Sequence, residues 1–314
     1  MRIRTVDYHT AGEPFRIVVE GAPELQGATV PARRRWALEH ADEVRRLLVN
    51  EPRGHADMYG CHVTPPDDDR ADLGAVFFHN AGYSTACGHG TIALVTWALE
   101  SGRLPVAGPE TRVVVDVPSG RLETVARVEA GDVKSVRFRN VPAYVHARGL
   151  QAAGRSVDVA FGGAFYAILP ERVAVRELPR LIELGRAIKR DLEASAEIAH
   201  PDNPELRGIY GVIFTEGDAN VTVFADGEVD RSPCGSGTSA RLALLDATGD
   251  LPRGQVLSHR GIVGTVFESR VVGEAAVAGR PAVVTEVEGS AHRTGEHLFV
   301  LEPEDELGTG FLLR

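Results

Sequence analysis

Phe78-His79-Asn80-Ala81-Gly82-Tyr83-Ser84-Thr85-Ala86-Cys87-Gly88-His89-Gly90-Thr91 has a second version later in the chain. That version is Asp226-Gly227-Glu228-Val229-Asp230-Arg231-Ser232-Pro233-Cys234-Gly235-Ser236-Gly237-Thr238. Each follows an apolar run, Ala75 to Phe78 or Val221 to Phe224, and passes through a polar turn to Cys-Gly-X-Gly-Thr. A helical pattern then closes on Gly, a variable residue and Leu-Pro, at Gly102 to Pro105 and at Gly249 to Pro252. Strand, turn and helix in this order set each Cys at or just before a helix N-terminus, where unpaired N–H groups and the positive dipole end favour an anion. The same field draws a thiol pKa down from about 8.5 toward neutrality. Each copy is thus a candidate reactive thiol beside a candidate carboxylate or phosphate cradle. Two copies point to two thiols meeting one ligand from opposite sides.

The duplication extends outward from these turns. Ile3 onward reads as a strand, a turn at Thr10-Ala11-Gly12-Glu13-Pro14 and a second strand Phe15 to Val19, which is a hairpin. A single helix of about 18 residues is expected from Ala32 to Val49, stopped by Pro52-Arg53-Gly54. A strand from Asp57 to Val63 precedes the first thiol unit, whose helix is expected from Gly88 to Glu100. In the second half, Gly162-Gly163-Ala164-Phe165-Tyr166 resembles the hairpin, a helix is expected from Val175 to Ala194, and Ile209-Tyr210-Gly211-Val212 echoes Met58-Tyr59-Gly60-Cys61. A repeat near half the chain length is a duplication and not a solenoid. The expected class is α+β in two pseudo-symmetric halves, residues 1–150 and 151–314, with the polar stretch Ala147 to Arg155 as the boundary. Residues 300–314 are a candidate to cross back to the first half.

Composition narrows the function. A net charge of −10 argues against nucleic acid or an anionic membrane as partner. No apolar run approaches the ~18 residues of a membrane span. Three cysteines, Cys61, Cys87 and Cys234, with no CxxC pair and no signal pattern at Met1-Arg2-Ile3-Arg4, point to a reducing cytoplasm. No metal is expected, because the 11 histidines form no HExxH or Cys/His ligand spacing. Cys61, inside an apolar strand pattern, reads as a small buried hydrophobe.

Other readings of the turns are weighed against this one. Neither copy fits GxxxxGK[ST] or the dinucleotide pattern, so the glycines are ascribed to close backbone approach by a small carboxylate. A disulfide between Cys87 and Cys234 would form only on oxidation. His89 either contacts a ligand held at the first turn or is a solvated cap. Asp230 either braces Arg231, caps its turn, or binds a substrate ammonium. Pyridoxal chemistry needs a Schiff-base lysine. The chain has only Lys134, in a strand-like run, and Lys189, in an amphipathic helix, which favours a cofactor-free route.

Cys-Gly-His-Gly-Thr at 87–91 and Asp-Arg-Ser-Pro-Cys-Gly-Ser-Gly-Thr at 230–238 resemble the proline racemase family, which includes proline racemases, 4-hydroxyproline 2-epimerases and trans-3-hydroxy-L-proline dehydratases. Thr10 to Pro14, Gly162 to Tyr166 and Gly310-Phe311-Leu312-Leu313 carry the resemblance across nearly the whole chain. It implies a diaminopimelate-epimerase-like fold, strands wrapped around a central helix in each half, a site in the cleft and often a homodimer. It implies Cys87 and Cys234 as the two acid/base thiols. Gly88, His89, Gly235 and Ser236 would hold a carboxylate through N–H groups, with the His89 side chain and Asp230 near the ring nitrogen. Phe78 to Thr85, Val157 to Tyr166 and His200-Pro201-Asp202 look more like the dehydratases, which typically carry Thr where this chain has Cys234.

The expected activity is a cofactor-independent racemase or 2-epimerase of proline or hydroxyproline, with two thiols that exchange acid and base roles. The alternative is a trans-3-hydroxy-L-proline dehydratase giving pyrroline-2-carboxylate. A third reading, a non-catalytic amino-acid binder or thiol redox sensor, predicts no α-hydrogen exchange.

Overall fold

The structure, a computed structural model, describes residues 1–313 and resolves the chain into two compact units. One comprises Met1–Val136 with Ser290–Arg314, the other Arg137–Gly289. This departs from the expected boundary at residue 150, and the reason is strand pairing. Tyr144–Ala152 and Arg155–Phe161 form an antiparallel hairpin across the stretch that reads as a polar loop. Most of the first strand's side chains between Tyr144 and Ala152 are at least partly exposed, so its sequence lacks an apolar alternation.

The first unit opens with the hairpin Arg2–Thr10 and Glu13–Glu20, turned by Ala11 and Gly12 at φ 53° and 93°. Two successive positive φ values are what a tight hairpin turn asks for, and Gly supplies the second without strain. The expected single helix is two, Val30–His40 and Asp42–Val49, because Ala41 leaves helical geometry at φ −126°. The Tyr83 hydroxyl donates to the Ala41 carbonyl at this break. Tyr59–Thr64 then runs parallel to the second hairpin strand and antiparallel to Leu73–His79. After the helix Gly88–Glu100, Glu110–Val117 joins parallel to Leu73–His79 and pairs antiparallel with Gly120–Glu129.

The second unit repeats this order. The hairpin Arg155–Phe161 and Phe165–Pro170 leads to the helix Leu178–Ser195, which is preceded by a 3-10 turn at Val175–Glu177. Ile209–Glu216 runs parallel to Phe165–Pro170 and antiparallel to Ala219–Phe224. After the helix Gly235–Thr248, Leu257–Arg260 joins parallel to Ala219–Phe224 and pairs antiparallel with Val266–Val277. Each unit is therefore α+β with the same sequence of parallel and antiparallel joins.

The two helices that begin at a cysteine are buried. Every residue from Gly88 to Leu99 is buried, and so is Gly235 to Ala243. A helix apolar on all sides belongs inside a wrap of strands, not on a surface. Both helices end on a left-handed glycine, Gly102 at φ 71° and Gly249 at φ 76°, which explains the shared Gly before Leu-Pro. No helix among the described residues is long and apolar enough to cross a membrane.

Candidate active site: two cysteine turns

The first turn is pinned at nearly every residue. Asn80 donates to the Val49 carbonyl at 2.7 Å and accepts from the Met58 amide at 2.9 Å. The Tyr83 carbonyl accepts from Arg34, the Ser84 hydroxyl from Tyr59, and the Thr85 carbonyl from the Ser119 amide. Cys87 then caps its helix with its own sulfur, which accepts the Gly90 N–H at 3.3 Å, while the Thr91 hydroxyl holds the Cys87 carbonyl at 2.8 Å.

His89 is 4% exposed, which removes the reading of a solvated cap. Its ring stands edge-on to Phe15 and Tyr59, with centroids 5.7 and 4.9 Å away. The Cys87 sulfur lies 3.6 Å from Nδ1 and 3.5 Å from Nε2, nearly equidistant, so neither nitrogen has the line to itself. The Thr10 hydroxyl donates to the His89 carbonyl at 2.9 Å and ties the helix start to the opening hairpin.

The second turn reaches the same end by different contacts. Asp230 Oδ1 accepts from the Ser232 amide at 2.8 Å and its hydroxyl at 2.7 Å, and Ser232 Oγ accepts the Cys234 amide at 3.1 Å. Asp230 therefore caps its turn, one of the readings open from sequence, and burial pushes its carboxyl up to about 6. Cys234 itself sits at φ 65°, a left-handed conformation that costs a non-glycine residue on the order of 1–3 kcal/mol and that collects at functional sites. Because of that twist the Thr238 hydroxyl holds the carbonyl of Pro233, one residue earlier than its counterpart Thr91 does. His259, fully buried, stands behind it with Nδ1 2.7 Å from Thr238 Oγ1.

Two expectations are corrected here. The helix N-terminus does not bring the Cys234 thiol down: burial first, then the Asp230 charge, push it up against the opposing Gly237 N–H, Thr222 and Tyr166 contacts. Burial and the Asp230 charge thus favour the neutral thiol at Cys234. The second concerns the glycines. A Cβ on Gly90 would stand 2.6 Å from the Cys87 sulfur, and one on Gly237 2.9 Å from the Cys234 sulfur. At Gly90 and Gly237 the cysteine's own sulfur fills the space over the first helical turn, so close approach by a ligand is not needed to explain these two glycines.

Sequence reasoning singled out Cys87, Gly88 and His89, which stand together at one helix start, and Asp230, Cys234, Gly235 and Ser236, which stand together at the other. It missed Ser232, Thr222 and His259. Asp-X-Ser before a Pro-Cys turn is the signal for Ser232, since such a pair closes a local side-chain turn. Nothing local marks His259, whose partner is 21 residues away. Cys61 is fully buried and its thiol is pushed up by that burial, as an inert core residue's would be.

The architecture is a duplicated α+β fold with a cysteine at the N-cap position of each of two equivalent buried helices. The sequence profile described as proline racemase matches residues 5–312, and the chain belongs to that family. It is 46% identical to a 3-hydroxyproline 2-epimerase of Burkholderia multivorans, over 99% of this chain and 98% of the relative. It is 45% identical to a trans-3-hydroxy-L-proline dehydratase of Bacillus cereus, over 98% of this chain and 97% of the relative. Among solved structures, a hydroxyproline epimerase from Agrobacterium vitis with bound trans-4-hydroxy-L-proline superposes with a TM-score of 0.93 at 32% identity, covering 99% of this chain and 96% of that one.

Proposed function

We propose that this protein is a cofactor-independent 2-epimerase of hydroxyproline, with 3-hydroxyproline the preferred ring, and that Cys87 and Cys234 are its acid and base. The observation that carries the reading is a cysteine in the capping position of both equivalent helices. The 46% identity to a 3-hydroxyproline 2-epimerase supports the choice of ring.

In the proposed reaction one thiolate removes the α-proton and the opposing thiol delivers its own proton to the other face. The substrate keeps its formula and changes configuration, and the two sulfurs end with their protonation exchanged. General acid–base catalysis of this kind contributes about 10²–10⁴-fold. The N–H groups of Gly88, His89, Gly235 and Ser236 would hold the carboxylate and stabilise the charge that spreads onto it in the transition state. Burial raises the Cys234 thiol, which in this reading suits it to start one direction of the reaction as the acid with Cys87 as the base, the roles exchanging for the other enantiomer. The His89 ring and Asp230 would face the ring nitrogen.

The second reading is trans-3-hydroxy-L-proline dehydratase, favoured by the Bacillus cereus relative. There the α-proton is removed, the 3-hydroxyl leaves as water, and the resulting enamine tautomerises to the cyclic imine pyrroline-2-carboxylate. Cys234 speaks against it, because elimination needs no second thiol to return a proton to the α-carbon.

One NMR time course in heavy water with trans-3-hydroxy-L-proline, trans-4-hydroxy-L-proline and L-proline separates the readings. Epimerisation with α-deuterium incorporation is expected, fastest on the 3-hydroxy substrate. Accumulation of pyrroline-2-carboxylate without the epimer would overturn it in favour of the lyase. Cys87→Ser and Cys234→Ser are each expected to slow epimerisation by about 10²-fold or more. Full epimerisation by the Cys234 variant would remove that residue's role.

A further inference from the structure

We infer that Tyr166 is a positioning residue for Cys234, and that the hydrogen-bond chain Ser236–Tyr166–Cys234 reverses direction each time the Cys234 sulfur gains or loses its proton. The use made of this reversal rests on the two-thiol reading above, but its test does not. Tyr166 lies on the strand Phe165–Pro170 and is fully buried. Its hydroxyl is 2.6 Å from Ser236 Oγ, where either atom can donate, and 3.8 Å from the Cys234 sulfur. The edge-on ring of Tyr210, 5.9 Å away at 89°, packs against the phenol.

A phenol has one proton and here has two polar neighbours, so it cannot donate to both. While Cys234 is a thiol, its S–H donates to the Tyr166 oxygen and Tyr166 donates to Ser236 Oγ. The Ser236 proton is then left for a ligand at the helix start. When Cys234 is a thiolate, the Tyr166 proton turns to the sulfur and Ser236 donates to Tyr166 instead. Hydroxyl rotations alone accomplish the change, with no proton transferred beyond the one exchanged at the sulfur. Burial pushes the phenol well above its ordinary range, so Tyr166 keeps its proton in both states.

The chain ties the protonation of the thiol to the hydrogen bond that Ser236 offers a carboxylate. In the first copy the equivalent position is His89, whose ring already touches the Cys87 sulfur. The second copy has a serine too short for that contact, and Tyr166 spans the gap. Several other groups face Cys234: Asp230, whose charge raises its thiol; Thr222 and the Gly237 N–H, which lower it; and Tyr210 beside Tyr166. His259 acts only through Thr238 on the preceding carbonyl.

The test is the rate at which each cysteine of the full chain is alkylated by iodoacetamide at fixed pH, resolved by mass spectrometry and with no substrate present. The rate follows thiolate population, and Cys87 serves as the internal control. Tyr166→Phe removes the donor to the thiolate and is expected to slow Cys234 alkylation about tenfold. Ser236→Ala removes the acceptor that Tyr166 uses in the thiol state. In the thiolate state it removes only a donor to the Tyr166 oxygen, and an acceptor left under-satisfied costs less than an orphaned O–H. The thiol state therefore loses more, and Cys234 alkylation is expected to speed up several-fold, with Cys87 unchanged. These opposite signs distinguish the chain from a packing role, which would loosen the site and raise both rates. If Tyr166→Phe does not fold, Ser236→Ala decides alone. Equal or slower alkylation of Cys234 in Ser236→Ala, or faster alkylation in Tyr166→Phe, overturns the proposal. Opposite shifts in a protein that does not epimerise would leave the chain standing and remove the reaction assigned to it.

Discussion

At the scale of single residues, each Cys-Gly-X-Gly-Thr motif is shaped by its own sulfur. The second glycine, Gly90 or Gly237, leaves room for the thiol to fold over the first helical turn, and the threonine hydroxyl fastens the carbonyl beneath it. This makes Gly→Ala a probe of thiol position. A methyl at Gly90 would meet the Cys87 sulfur at 2.6 Å and, closer still, the Phe15 ring, whereas at Gly237 it would meet the Cys234 sulfur at 2.9 Å and Ile213 Cδ1 at 2.8 Å. The Ile213 end can swing away and the Phe15 ring cannot, so Gly90→Ala should be the more damaging. Overpacking of this kind costs about 1–3 kcal/mol. Both variants should keep their circular-dichroism spectra and lose most of their epimerase activity; a Gly90→Ala enzyme with unchanged kcat and KM would show that the thiol does not need its observed position.

At the scale of elements, the two cysteine helices were legible because strand, turn, helix and stop recur with the same residues, down to the glycines that cap both C-termini. Other features were not, for separate reasons. Tyr144–Ala152 has a solvent-facing character that hides its pairing, and the helix break at Ala41 depends on geometry that no proline or glycine marks. Tyr166 and Ser236 are 70 residues apart, so only the fold shows that they touch. The second helix start also rests on a contact from elsewhere, the His259 imidazole behind Thr238. Thr238→Val keeps the shape and removes the hydroxyl, leaving the Pro233 carbonyl and His259 Nδ1 without that partner. A loss of about 1–3 kcal/mol is expected in urea unfolding. Since the strained Cys234 turn is then less constrained, kcat should fall while thermal unfolding remains cooperative. Loss of stability alone, with kcat intact, would show that the turn holds without this support.

At the scale of the molecule, two long-range properties can be tested. The first is acid sensitivity. Burial holds His62 down to about 4 and His259 well below its ordinary value, so from pH 6.5 downward the unfolded chain takes protons that the folded one refuses. Their contribution is complete above that pH and is lost as pH falls toward 4, amounting to about 3 kcal/mol for His62. Asp230 runs the other way: its folded carboxyl takes a proton near pH 6, before the unfolded one does, so its contribution grows on acidification and offsets part of the loss. Urea midpoints at pH 7 and 4.5 should therefore converge in His62→Gln and diverge further in Asp230→Asn. The second property is the discontinuity of the first unit. The chain's last strand, Ala291–Val300, pairs along the whole of Arg2–Thr10, and the Met1 amino group donates to the Leu301 carbonyl. Tyr144–Ala152 stands in the same relation to Arg155–Phe161 in the second unit, so the first strand of each hairpin has an outer antiparallel partner from its own unit. Deleting residues 290–314 would leave Arg2–Thr10 with an open edge, and that strand carries Thr10, whose hydroxyl holds the His89 carbonyl. Hydrogen exchange of the truncated chain should show lost protection in residues 1–136, retained protection in 137–289, and a first unfolding step lowered by about 10 °C or more. Uniform protection across both units would mean that the pairing of first and last strands contributes little to the first unit's stability, and that the cysteine turn built on it stands without them.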